Sequence, residues 1–136
     1  MLSVNSLYII ARCRYEEAKI LLEADKPDGA AYLCGYAMEL ILKRHIVKLL
    51  NWDGYPETRS EFEHLQSFKV HKLDVLLNLS GLKKVIEADS TALARWQKVS
   101  RWDSEIRYRN IGTLSKAEAQ DIINATRDTV NRILHL

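Results

Sequence analysis

The sequence predicts an all-α protein, an antiparallel up-and-down bundle of four to five helices forming one domain over residues 1–136. Three observations carry this expectation. Apolar residues recur at spacings of three and four, and strand-type alternation is absent. Only five Gly and two Pro occur in 136 residues, too few for a turn-dense β architecture. Near the C-terminal end, Ser115 followed three residues later by Glu118 forms a capping box ahead of an unbroken apolar face.

The first helix is expected from about Ser6 to Ala24, with Leu7, Ile10, Ala11, Ala18, Leu21 and Leu22 on its apolar side. Lys26-Pro27-Asp28-Gly29 reads as a turn, and Asp28 as the N-cap of the next helix. That second helix, Ala30 to about Asn51, is nearly all apolar around its circumference, so it belongs at the centre of the bundle. A polar line interrupts it. Tyr32, Tyr36, Glu39 and Lys43 follow one another at spacings of four, three and four, which places them on one face. Asp53-Gly54-Tyr55-Pro56 is a turn, and Glu57 to Lys69 is an irregular stretch. His71 to Leu77 is a short helix stopped at Ser80-Gly81, weakly continued by Leu82, Val85 and Ile86. A fourth helix spans about Ser90–Ser100 with Leu93, Trp96 and Val99 inward, and Trp102–Thr113 is a loop. In the last helix Ala119, Ile122, Ile123, Thr126, Val130, Ile133 and Leu134 share one face.

Composition bounds the function. Hydrophobic and charged contents of 47% and 28% are those of an ordinary globular protein, and a net charge of +2 gives no global steering toward nucleic acid. Cys13 and Cys34 lack metal-ligand spacing and are expected to be reduced core thiols. The N-terminal run is too short for a signal peptide, and no apolar stretch approaches the length of a membrane span, so a cytoplasmic protein without a membrane role is expected.

Five segments taken in order resemble the HEPN domain family. They are a first A-x-x-L helix with its turn; the pattern from Ala31 through Ala37, Glu39, Leu42 and Lys43; the run His71, Leu73, Leu76 and Leu77; the approach Trp96, Trp102, Arg107 and Tyr108; and Ser115, Glu118 and Ala119. The resemblance implies a helical bundle that usually dimerises through its long helices and works in nucleotide or RNA biology. It also implies company with a minimal nucleotidyltransferase, often in toxin–antitoxin or defence systems. Members of the family's RNase branch carry an Arg, then four to six residues, then a His, near the start of the last helix. Here Gly112, Thr113, Leu114, Ser115 and Lys116 follow Arg107 and Arg109, so no imidazole is at hand as a general acid or base. The branch lacking that His fits better, and catalytic residues are not assigned.

Arg107-Tyr108-Arg109 is the leading binding candidate. Two guanidiniums bind phosphate and a tyrosine ring stacks a base, although one Arg pairing with Asp103 or Glu105 explains the cluster equally well. Glu39 and Lys43 form an i,i+4 pair in the favourable order, either a local salt bridge or one wall of a cleft with that loop. Tyr36 on the same line is a candidate base or sugar contact. His71 and Lys72 open a short helix where an anion is favoured, with Lys72 as the phosphate ligand, although a His at that place is more often a polar cap or a packing residue. Glu61 and His64 match half of a di-iron motif whose second half is missing, and no cofactor or metal is expected. Arg59 and His64 meet the RNase spacing in the wrong part of the chain. The resulting expectation is a non-catalytic nucleotide- or RNA-end-binding module, a homodimer acting with a nucleotidyltransferase. The alternatives are a ribonuclease toxin with a divergent site and a pure protein-interaction module.

Overall fold

The structure is a computed structural model that describes residues 1–101 and 112–136. Among them it contains six helices, α1 (Val4–Glu23), α2 (Pro27–Leu49), α3 (Leu73–Leu79), α4 (Lys83–Glu87), α5 (Ser90–Val99) and α6 (Lys116–Leu134). That is one more than the sequence periodicity suggests, because Lys83–Glu87 closes a short helix of its own instead of fading into a turn. A 3-10 turn at Gln66–Phe68 and one antiparallel bridge between Leu2 and Tyr55 complete the regular structure of the described residues.

Helix α1 starts two residues earlier than expected because Ser3 caps it, its hydroxyl accepting the Ser6 N–H at 3.1 Å. Leu7, Ala11, Ala18 and Leu22 then point inward. Helix α2 also starts early, at Pro27, whose missing N–H costs nothing in a first turn. Asp28 is therefore not the N-cap. It sits inside the first turn, and its carboxylate accepts the Gly112 N–H at 2.7 Å, the Leu114 N–H at 3.1 Å and the Thr113 hydroxyl at 3.2 Å. A residue read as a local cap instead ties the start of α2 to the approach of α6.

Helix α2 is the central element, with α1, α3 and α6 packed on it and α5 against α6. Ala30, Ala31, Ala37 and Gly35 keep its N-terminal half narrow, while Met38, Ile41, Leu42 and Ile46 fill the core beyond. Ala30 and Cys34 cluster with Ala119 and Ile123, and Ile41 with Ile133, so α2 and α6 run in the same direction. Both ends of α5 are pinned by side chains. The Asp89 carboxylate accepts the Thr91 and Ala92 N–H groups and reaches Arg132 of α6 at 2.9 Å. The buried Trp96 indole donates to Asp74 of α3 at 2.9 Å, which makes it a structural anchor. The capping box of α6 forms as the sequence predicts.

Cys13 corrects another expectation, since it lies exposed on α1 while only Cys34 is in the core. Among the described residues no helix is long and apolar enough to cross a membrane, and no cluster of His, Cys, Asp or Glu is arranged to hold a metal ion.

Candidate functional site

The polar line of α2 lies where the chain returns after the irregular stretch to begin α3. Glu39 is buried, and one of its oxygens, Oε1, takes both Lys43 Nζ at 3.1 Å and His71 Nδ1 at 2.5 Å. The first partner is one helical turn away, as the sequence predicts. The second is 32 residues away and arrives only because α3 docks on α2. His71 therefore does not open a helix. Helix α3 begins at Leu73 and has seven residues, Lys72 occupies its N-cap position without a side-chain cap, and Lys72 is exposed.

Below this pair sits Tyr55, fully buried, with Lys43 Nζ 5.0 Å from the centre of its ring. The Tyr55 hydroxyl donates to the Phe68 carbonyl at 2.6 Å. Burial first, and the charge of Glu39 second, push its pKa well above the ordinary phenol value. It stays a neutral donor at any physiological pH. Trp52 and Phe68 meet edge to face at 4.9 Å beside it, and Phe62 closes the group. The tight turn that delivers Tyr55 depends on Gly54, where a Cβ would meet the Leu2 carbonyl oxygen at 2.8 Å.

The cluster is thus a buried carboxylate holding one nearly buried ammonium and one imidazole whose ring is 63% exposed. A carboxylate on Nδ1 fixes the tautomer and orientation of an imidazole and leaves its other nitrogen for an incoming group, the arrangement that prepares a histidine to move a proton. Tyr36 stands one turn before Glu39 and packs edge to face on Tyr32 at 5.1 Å. The structure brings Glu39, Lys43 and His71 together, while Lys72 stands exposed at the start of α3. Arg107, Tyr108 and Arg109 lie outside the described residues, as does Trp102. Of the other candidates, His64 is almost fully exposed in a turn beside Glu63, and Arg59 is exposed with it.

Sequence reasoning missed two participants, Tyr55 and the link from His71 to Glu39. No local signal announces either one. The only hint is that a Glu in an otherwise apolar central helix needs more than one partner once buried.

A model of the HEPN domain family matches residues 4–136, essentially the whole of the described chain. No curated protein and no solved structure shows significant similarity to it.

Proposed function

The chain belongs to the HEPN domain family, a nucleotide- and RNA-related family, and on that premise we propose that it binds a nucleotide or RNA end without cleaving it. The observation that carries this reading is the sequence beyond Arg107 and Arg109, which has no His after the four to six intervening residues that the RNase branch requires. In this reading Arg107 and Arg109 grip phosphate, and Tyr108 and Tyr36 meet the base or sugar. Lys72 adds an exposed cation. Lys43 contributes less, because its charge is already shared with Glu39 and the face of Tyr55. A separately encoded minimal nucleotidyltransferase supplies any transfer chemistry, the protein works in the cytoplasm, and a toxin–antitoxin or defence system is its setting.

Thermal unfolding against a panel of nucleotides and short RNA ends tests this. A ligand at a hundred times its Kd stabilises by about 2.7 kcal/mol and raises Tm by roughly 5–15 °C in a domain of this size. The expected result is a selective rise that Arg107→Ala/Arg109→Ala removes. A flat panel refutes it.

One observation favours a second reading, the divergent ribonuclease. The Glu39–His71 pair has the geometry of an oriented general base. RNA cleavage by the purified chain that His71→Ala abolishes and Arg59→Ala leaves intact would establish it over the first.

A further inference from the structure

Helices α1 and α6 both pack on α2 and touch each other far less, and a cleft of about 310 Å³ opens between them. Its floor is kept low by Ala11 of α1 and Ala37 of α2, with Ile41 one turn beyond. Tyr8 and Tyr15 of α1 stand along one wall, and Val130 and Leu134 of α6 along the other. The two tyrosines are one stretch of seven residues apart, so the cleft is about 10 Å long. Its volume lies at the lower end of the range for small-molecule sites, roughly 300–1,000 Å³.

Guanidiniums reach this cleft from all three helices. Arg12 lines it from α1 and has no ion pair or hydrogen bond among the described residues. Arg127 lines it from α6, its Nε held by Asp128 at 3.1 Å. On α2, Arg44 falls within about 60° of Ala37 and Ile41 around the helix. Its guanidinium lies 5.7 Å from the centre of the Tyr8 ring, and its buried Nε has no hydrogen-bond partner among the described residues. Burial raises the Tyr15 phenol above its ordinary pKa against the pull of Lys19 and Arg127, so its hydroxyl stays a donor. Among the described residues the one carboxylate lining the cleft is Glu16, which Lys19 takes at 3.0 Å. An apolar floor suits an apolar body, tyrosine edges favour a flat one, and the surplus of guanidinium charge calls for an anionic head. Glu16 limits that head to a single charge, since a dianion would meet it as a like charge.

We propose that the cleft between α1 and α6 is a binding site for a small, flat, apolar molecule with a single anionic head, such as a two-ring aromatic carboxylate. Its body lies on Ala11, Ala37 and Ile41 between the two tyrosines, and its head pairs with Arg12. The nucleotide reading neither requires this cleft nor depends on it, and Glu39, Lys43 and His71 do not line it.

Fluorescence titration of the full chain with anilinonaphthalene sulfonate, a flat apolar monoanion, is the test. The expected result is a saturable rise with one dye bound per chain, reversed by a naphthalene carboxylate and not by the matching carboxamide. Phenylnaphthylamine, the same rings without the sulfonate, binds at least about tenfold more weakly. Arg12→Glu weakens the dye by a similar factor, and Asn131→Trp, which fills the mouth of the cleft from α6, abolishes its binding. Both positions are exposed, so the circular dichroism spectrum and Tm of the free protein stay as in the wild type. Neither substitution alters a nucleotide-induced rise in Tm that Arg107→Ala/Arg109→Ala removes, so the two readings fail separately. A dye that does not saturate at one site overturns the proposal. So does equal affinity for the uncharged parent, or binding that either substitution leaves unmoved.

Discussion

Replacing Glu39 separates the energetic logic of this cluster from a simple count of contacts. Glu39 is 2% exposed and Lys43 13% exposed at the side chain, and the two share an oxygen with His71. Glu39→Leu removes the carboxylate and strands a nearly buried ammonium over the ring of Tyr55. Breaking one side of a buried pair costs about 3–5 kcal/mol. Here the cation-π contact and the residual solvent access of Lys43 reduce that to about 2–4 kcal/mol. His71 adds little, because its exposed ring returns to water. Lys43→Met leaves Glu39 with His71 as its remaining partner and costs less, about 1–3 kcal/mol. The double replacement Glu39→Leu/Lys43→Met exchanges the pair for apolar groups of similar volume and is expected within about 1 kcal/mol of wild type. The singles therefore do not add, and the coupling is about 3–7 kcal/mol. Urea unfolding reads all four states, with midpoints compared at constant m. If the double mutant loses the sum of the two singles, the charges are not compensating one another, and the picture of a mutually satisfied buried pair is wrong.

Three further outcomes follow from the same structure. Asp28→Ala loses three bonds to residues 112–114 and is expected to cost about 1.5–3 kcal/mol in urea, with Asp28→Asn recovering part of it; an unchanged midpoint would show that this tie carries no stability. Burial first, then Lys48 and Arg44, lower the pKa of His45, so the unfolded chain takes up its proton more readily than the folded one. Stability is then full above about pH 6.5 and declines as pH falls through the lowered folded value, and His45→Gln flattens that decline; a slope unaltered by the substitution refutes the assignment. Burial pushes the Cys34 thiol up to about 12, whereas Cys13 is exposed. Thiol titration at pH 8 is expected to label Cys13 alone in the folded chain and both cysteines in urea, and fast labelling of Cys34 in the native state would contradict the core packing.

The elements that the sequence by itself determined are those specified by neighbours. The apolar girdle of residues 30–48 marks α2 as central, and the capping box at Ser115 and Glu118 announces α6 because its two hydrogen bonds join residues three apart. The Glu39–Lys43 pair was legible for the same reason, being one helical turn. Tertiary structure alone decided the rest. Asp28 has the chemistry of a cap, but Pro27 already begins the helix, and its carboxylate is free to take two amides and a hydroxyl 84 to 86 residues away. His71 reads as a helix opener until α3 docks and turns it onto Glu39. Cys13 and Cys34 are the same residue type on adjoining helices, and only the rotation of α1 against α2 puts one in water and the other in the core. Local spacing encodes what a helix is; the pairing of distant side chains depends on how helices pack, and packing joins residues by proximity in space, which one-dimensional spacing does not record.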